Sequence, residues 1–180
     1  VDKSSVESKH IFEAETLFVS TNGEGSHSYA YVSPTTFIAN SDVAVLKPKV
    51  EMSLEQKLFY SQAITANRYL FSYGRKPKGD RLKNIMLPRV SELNNWMKDA
   101  YKKYGTLSWK MGETIKYNGW VKPIKLTLLS ELFELQSGIT RNILNVSSVN
   151  EGESSIPFLR PSNNLKNTLD GYVKRSEVNQ

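Results

Sequence analysis

The chain contains no cysteine, only two histidines and no long apolar run. The lack of cysteine excludes disulfides and thiolate metal sites. His10 and His27 do not have the spacing of zinc ligands, so we expect each to be an ordinary surface or hydrogen-bonding side chain. No apolar run approaches the roughly 20 residues that span a bilayer, and the first residues show no signal-peptide pattern. We therefore expect a cytoplasmic protein with no membrane partner, no metal and no cofactor.

Common catalytic motifs are also missing. The sequence has no phosphate-binding GxxxxGK[ST], no GxGxxG and no GxSxG, and it lacks the Asn-Pro-Pro-Tyr segment of a methyltransferase. One acidic pair remains, because Glu13 and Glu15 would share a face of a strand over residues 11–20 and could hold a metal ion. We expect no enzyme activity, and the alternative is a small metal-dependent nuclease that uses these two carboxylates.

The positive charge of the chain is concentrated in one stretch. The formal net charge is +6, and residues 68–89 alone hold seven basic residues and one acidic residue, which is the same excess. The basic residues are Arg68, Arg75, Lys76, Lys78, Arg81, Lys83 and Arg89. Two glycines and a proline between residues 74 and 79 predict a loop. A basic loop is typical of a surface that binds a polyanion, but also of a solvated loop, and the charge by itself favours neither.

The hydrophobic pattern predicts a mixture of strands and helices, an α/β (α+β) fold. Residues 11–20 are rich in Phe, Val and Thr and read as one strand, and shorter strands are expected at 37–39 and 43–46. Apolar residues return at 156–160, and an extended piece begins at 171–173. Residues 139–155 are polar and predict a surface loop.

Two helices can be placed from their start signals and periodicity. Ser53 with Gln56 forms a capping-box pattern, and it begins a helix with an apolar stripe. The stripe comprises Phe59, Ala63, Ala66 and Leu70. A second, amphipathic helix is expected from Ser91, with a face suited to pairing. That face comprises Leu93, Trp96, Met97, Ala100, Tyr101 and Tyr104. Residues 126–135 predict a short helix followed by a strand.

Three polar loops, at 22–31, 72–83 and 160–166, each adjoin a predicted strand or helix. Arg and Lys can bind phosphates or guanine edges, Asn can bind adenine, and loops on a rigid frame commonly carry recognition. These loops therefore favour binding of nucleic acid. The candidate DNA-binding residues are Asn22, Ser26, His27, Ser28, Tyr29, Tyr31, Ser72, Tyr73, Arg75, Lys76, Lys78, Arg81, Lys83, Arg160, Ser162, Asn163, Asn164 and Lys166.

Four segments resemble a target-recognition domain of the DNA specificity (S) subunits of type I restriction–modification systems. LSELFELQSG at 129–138 resembles the opening of that domain, and IPFLR at 156–160 begins its next segment. The next segment also includes Asn163, Asn164 and Gly171-Tyr172-Val173. The middle is matched by Thr16 to Val19, Asn22, Gly23, Gly25, Tyr31, Phe37 and Asp42 to Leu46. The end is matched by Leu58, Phe59, the FSYGRK run at 71–76, Leu82, Leu87 and Pro88.

The resemblance implies a module that reads double-stranded DNA without catalysis of its own, built as a twisted, mostly antiparallel sheet with packed helices. Such specificity subunits direct a DNA methyltransferase, and in type I systems a translocating nuclease subunit, to a split target of which each recognition domain reads one half-site. Helices that flank the domains hold them apart and bind partner subunits. The implied partners are DNA, the methyltransferase subunit, the restriction subunit, and another recognition domain or a second copy of this chain. On this model, the face from Leu93 to Tyr104 is the pairing surface.

The order of the segments departs from the family. Residues 1–90 match the back half of the domain, 91–125 form the amphipathic helix and a connector, and 126–180 match the front half. Either the domain is circularly permuted or the chain joins halves of two domains; we favour permutation, which requires the two ends to be adjacent. A protein-interaction module whose basic charge is incidental is a further alternative.

Overall fold

The computed structural model describes residues 6–23, 25–93, 125–141, 144–162 and 168–179. The strands are β1 (Val6–Glu7), β2 (Ile11–Phe12), β3 (Leu17–Ser20), β4 (Ala30–Val32), β5 (Phe37–Ala39), β6 (Val43–Pro48), β7 (Met86–Pro88), β8 (Leu126–Leu128), β9 (Phe133–Ser137), β10 (Ser155–Leu159), β11 (Leu169–Lys174) and β12 (Val178–Asn179). The helices are α1 (Leu54–Ala66), α2 (Asp80–Lys83) and α3 (Leu129–Leu132). Single 3₁₀ turns lie at Ser8–His10, Asn67–Leu70, Val90–Glu92, Gly152–Ser154 and Arg175–Glu177. The expected α+β class is confirmed.

The first sheet has the strand order β4-β3-β6-β9 and is antiparallel throughout. All four residues of β3 are buried, although neighbouring side chains point to opposite faces of a strand. Leu17 and Val19 pack on one side and Phe18 packs on the other. The sheet is therefore covered on both faces.

Helix α1 covers the first face. Its capping box is present as predicted, since the Ser53 hydroxyl accepts from the Gln56 amide and the Gln56 side chain accepts from the Ser53 amide. The predicted stripe is partly wrong: Phe59 and Ala63 are half-buried against the core, but Ala66 and Leu70 are exposed. Tyr60 and Ile64 are the fully buried side chains of α1.

The stripe was misplaced for two physical reasons. The α-helical period ends at Ala66, where a 3₁₀ turn begins, so Leu70 does not follow the spacing of the helix. Tyr60 can be buried because its hydroxyl donates to the Pro88 carbonyl at 2.8 Å. Burial raises the pKa of Tyr60 to about 12, which keeps that hydroxyl protonated.

The second sheet, of order β11-β10-β5-β2, covers the other face. Its inner surface supplies Phe12 and Phe37, whose rings lie 5.5 Å apart, and the Phe37 ring is 5.3 Å from Phe18. The opposite surface of this sheet packs against Ile139 and Leu144, so two residues of the predicted surface loop at 139–155 are buried.

The single strand predicted over residues 11–20 is wrong. A turn separates β2 from β3, and Glu15 within it has a φ of 61°, which is the left-handed region. Glu13 and Glu15 therefore do not share a strand face, and Glu13 instead accepts a hydrogen bond from the Thr36 hydroxyl at 3.2 Å. This turn removes the geometry on which the nuclease alternative depended.

The region from 126 to 137 contains the short helix and following strand that were predicted, as α3 and β9, with the additional strand β8 before them. Strands β8 and β7 form a separate antiparallel pair. The second helix was predicted to begin at Ser91, three residues after the end of β7. That helix, with Trp96, Met97, Ala100, Tyr101 and Tyr104 of its pairing face, lies outside the described residues; Leu93 is described and is half-buried against the core.

The two described ends of the chain meet. Strands β1 and β12 pair in parallel, with Val6 opposite Val178. Val1 and Gln180 themselves lie outside the described residues. Circular permutation requires adjacent ends, and it stays a prediction. Within the described ranges, no helix has the length and apolar character to cross a membrane.

Gly138 follows β9 of the first sheet and lies against the backbone at the end of β5 in the second sheet. A Cβ atom there would overlap the carbonyl oxygens of Ala39 and Asn40. We expect Gly138→Ala to lower the free energy of unfolding by about 1–3 kcal/mol, because backbone atoms cannot move aside as a flexible side chain can. Gly74→Ala is the control, since no atom of the described residues, apart from the two flanking ones, lies within 4 Å of the added methyl group. Urea unfolding of both variants checks this, and equal stabilities would contradict it.

Candidate nucleic-acid interface

Three loops converge at one end of the first sheet. The hairpin loop (residues 21–29) joins β3 to β4, the basic loop (residues 72–83) follows α1, and the strand-end loop (residues 160–162) follows β10. These correspond to the three polar loops predicted from the sequence. Their contacts with one another form the candidate site.

The strand-end loop is bound to the base of the hairpin loop. The Ser162 amide donates to the Ser20 hydroxyl at 3.1 Å, and that hydroxyl lies 3.4 Å from the Ser162 carbonyl, to which it donates. The Tyr31 hydroxyl donates to the same carbonyl at 3.3 Å. Burial, and then the neighbouring Tyr29, raises the pKa of Tyr31, so its hydroxyl keeps the proton that this bond requires.

Asp42 connects the hairpin loop to the basic loop. Its carboxylate accepts from the Lys78 ammonium at 2.9 Å and from the Asn22 side chain. Its carbonyl accepts from the amide and the hydroxyl of Thr21, both at 2.8 Å. Burial acts to raise the pKa of Asp42, but the hydrogen bonds from Lys78 and Asn22 and the charges of Lys78 and Lys76 hold it below its usual value. Asp42 is therefore a carboxylate at the junction of two loops.

Arg68 connects the end of α1 to the hairpin loop. Its guanidinium donates to the Gly25 carbonyl at 3.2 Å and lies over the Tyr29 ring, 4.5 Å from the ring centroid. A short distance away, the Thr65 hydroxyl accepts from the Ala30 amide at 3.0 Å. Two side chains from one helix end thus hold the second half of the hairpin.

The basic loop presents charge and aromatic surface to solvent. Ser72 and Arg75 exchange two backbone hydrogen bonds, of 3.2 and 3.0 Å, which close a tight turn with Tyr73 at its tip. Tyr73 is 71% exposed, and the Lys76 ammonium lies 5.0 Å from its ring centroid. Arg75 and Arg81 are exposed, and no carboxylate in the described ranges lies within ion-pair distance of either. These two arginines carry the least compensated positive charge of the loop.

The predicted site residues fall into three groups. Exposed side chains are Ser72, Tyr73, Arg75, Lys78, Arg81, Lys83 and Arg160, and half-buried ones are Asn22, Ser26, His27, Tyr29, Tyr31 and Lys76. Asn163, Asn164 and Lys166 lie outside the described residues. Ser28 and Ser162 are buried, which corrects the prediction that both are presented to a ligand. Ser28 has a φ of 66°, and its amide donates inward to the Ser20 carbonyl at 2.7 Å.

Three basic residues of the prediction are paired with acids. Lys78 is bound by Asp42, Lys83 lies 3.6 Å from Asp80, and Arg160 lies 3.8 Å from Asp170. The Lys83–Asp80 pair is largely solvated, so it contributes little. The Asp170 side chain is only 13% exposed and also lies 3.4 Å from Arg141. The Asp42 carboxylate of the Lys78 pair likewise has a second partner, the Asn22 side chain.

Sequence reasoning missed Arg68, Tyr69 and Asp42 as site residues. Arg68 was counted among the basic residues of 68–89 but not among the site residues. The adjacent Tyr69 is 78% exposed and precedes the basic loop. An aromatic residue next to the basic run was the available signal for Tyr69. For Asp42 there was no local signal, because its partner Lys78 is 36 residues away in the chain.

A cleft of about 260 Å³ with a mixed polar and apolar lining separates the basic loop from the edge of the first sheet. Lys78 and Lys83 line one side, and Gln136 and Ser137 of β9 line the other. Within the described part of the chain, no group of three or more His, Asp or Glu side chains is placed to hold a metal ion.

Comparisons with protein-family models, with curated proteins and with solved structures found no match to this chain.

The bond between Ser20 and Ser162 is open to a direct test. Ser20→Ala removes the partner of a buried amide, so we expect the free energy of unfolding to fall by about 1–3 kcal/mol. Ser72→Ala, at an exposed position, is the matched control and should stay within about 0.5 kcal/mol of the parent. Chemical denaturation of both variants gives the comparison, and a neutral Ser20→Ala would mean that this link does not hold the strand-end loop.

Proposed function

We propose that this chain is a sequence-specific recognition module for double-stranded DNA. The observation that carries the proposal is the convergence of the hairpin, basic and strand-end loops at one end of the first sheet. Each loop brings polar side chains to that end, and the basic loop adds cations. The surface therefore combines the two elements of DNA reading, which are phosphate contacts for affinity and polar groups for base edges.

The positive charge is arranged as phosphate binding requires. Arg75 and Arg81 are exposed without an acidic partner in the described ranges, and Lys76 stands beside them on the Tyr73 ring. Cations that are not neutralised by the protein can displace the counterions of DNA, which favours binding at low salt. We assign phosphate contact to Arg75, Lys76 and Arg81.

Base reading is assigned to groups that the frame holds in place. The Asn22 amide is fixed by Asp42, and an amide in a fixed orientation can pair with an adenine edge. Tyr73, at the tip of a closed turn, offers a ring and a hydroxyl to a groove or to a base. Rigid presentation matters because base discrimination depends on hydrogen-bond geometry.

The biological setting of the proposal follows from the segment resemblance. We propose that the module is the specificity component of a restriction–modification system and directs a methyltransferase, with or without a nuclease subunit, to a target half-site. It has no catalytic step of its own on this proposal. The partner subunits would bind through the segment that begins at Leu93.

The first test is the salt dependence of DNA binding. We expect the variant Arg75→Ala/Lys76→Ala/Arg81→Ala to bind a 30-base-pair duplex more weakly. The slope of log K against log salt should fall by about 0.9 for each phosphate group that the variant no longer binds. Fluorescence anisotropy between low and moderate salt measures this slope.

A charge-matched variant controls for the overall removal of three positive charges. Lys174 and Arg175 lie at the opposite end of the β10–β11 hairpin from Arg160, and Lys9 lies next to β1. Lys9→Ala/Lys174→Ala/Arg175→Ala should keep the parent slope. Equally weakened binding in both triple variants would show that net charge alone draws DNA to the protein, and the proposed interface would then be wrong.

Two further measurements separate the other classes of function. Incubation of supercoiled plasmid with the protein and Mg²⁺ should leave it intact, since Glu13 and Glu15 do not share a strand face; nicking would favour the nuclease instead. Sedimentation with duplex DNA should show a complex. A protein that self-associates but ignores DNA would support the protein-interaction alternative.

A further inference from the structure

We propose that Arg68 and Lys78 are positioning residues, which shape the recognition surface from within, whereas Arg75 and Arg81 contact the ligand. This inference rests on the proposed DNA-binding function. It separates the cations of residues 68–89 into those that position the loops and those that contact DNA. The division follows from what each cation already binds in the protein.

Arg68 is engaged on two sides by the hairpin loop. Its terminal nitrogen donates to the Gly25 carbonyl at 3.2 Å, and its planar group lies 4.5 Å from the centre of the Tyr29 ring. Its Nε atom is buried and makes no hydrogen bond within the described part of the chain. A guanidinium held in this way is already engaged by the hairpin loop, so its contribution is to fix the backbone at Gly25 and the ring of Tyr29.

Lys78 forms an ion pair with Asp42, whose negative charge would otherwise oppose DNA binding. Asp42 lies at the junction of the hairpin and basic loops, where the backbone of DNA would approach, and its negative charge would repel a phosphate. The Lys78 ammonium at 2.9 Å cancels that charge and ties the two loops together. Moving Lys78 onto a phosphate would exchange one ion pair for another and leave Asp42 facing the DNA.

The positioning role has a consequence for the neighbours of both residues. Asn22 shares the carboxylate of Asp42 with Lys78, and Tyr29 shares its ring with Arg68. Both neighbours belong to the hairpin loop. Removal of either cation therefore changes the hairpin loop, whereas removal of Arg75 or Arg81 leaves it as it is.

Arg68 is tested by backbone exchange without any DNA. In Arg68→Ala, we expect the amides of Ser26, Ser28 and Ala30 to exchange with solvent at least tenfold faster, measured by NMR. Arg75→Ala is the matched control and should leave these rates unchanged. Arg68→Lys keeps the charge but loses the planar stack, so it should resemble Arg68→Ala. Unchanged exchange in Arg68→Ala would overturn the role of Arg68 whether or not the protein binds DNA.

The role of Lys78 is tested by asking whether Asp42→Asn restores the DNA affinity that Lys78→Ala removes. Lys78→Ala should weaken binding to a 30-base-pair duplex, because it exposes the charge of Asp42. The double variant Lys78→Ala/Asp42→Asn should regain at least half of the decrease in log K and keep the parent salt slope. A lysine that binds phosphate directly cannot be rescued in this way: the double variant would stay weak, with the slope lowered by about 0.9.

Selectivity supplies the last readout. A duplex recovered from a random-sequence library by the parent protein is compared with a shuffled duplex of the same composition. Arg68→Ala should lower the affinity ratio of these duplexes at least fivefold while the salt slope stays constant, and Arg75→Ala should lower the slope. If Arg68→Ala lowers the slope instead, Arg68 is a phosphate contact.

If neither the parent protein nor any variant binds DNA, the proposed function fails. The amide exchange rates then still decide the positioning role of Arg68.

Discussion

The two-sided burial of the first sheet is the constraint on which the rest of the structure depends. Leu17 and Val19 pack under α1, while Phe18 packs against Phe37 of the second sheet. Every residue of β3 is thereby fixed, and a one-residue slip would exchange its two sets of side chains. The hairpin loop follows β3, and Asp42 lies in the turn between β5 and β6. Through the register of these strands, the core therefore fixes the strand positions at which these two segments of the candidate site begin.

Elements with a local cause were predictable from the sequence. The capping box at Ser53 and Gln56 begins α1, and the short apolar runs at 37–39 and 43–46 form β5 and β6. Hydrogen bonds and alternation within a few residues determine such features. The three polar loops were also found, because glycine, proline and polar residues mark turns wherever the chain later folds.

Features that depend on distant partners were not predictable. Ser28 and Ser162 read as polar loop residues, yet the fold buries both around Ser20, which is 142 residues from Ser162. The turn at residues 13–16 interrupts a run with good strand propensity, because β2 and β3 belong to different sheets. Composition counted Lys78 and Arg75 as equal charges, and only the fold shows that Asp42 binds the former. Composition therefore provides the sum of the charges in the basic stretch, while their separation into bound and exposed cations requires the structure.

Asp42 also determines how the candidate surface responds to pH. The hydrogen bonds from Lys78 and Asn22 outweigh the effect of burial, and the folded-state pKa of Asp42 is lowered. A carboxyl with a lowered pKa stabilises the folded state above its unfolded pKa, about 3.9 for aspartate, and this stabilisation is lost as the pH falls through the lower, folded-state value. The tie between the hairpin and basic loops therefore persists throughout the neutral range. Ionic strength is then the variable that controls this surface, because salt competes for the exposed cations of the basic loop.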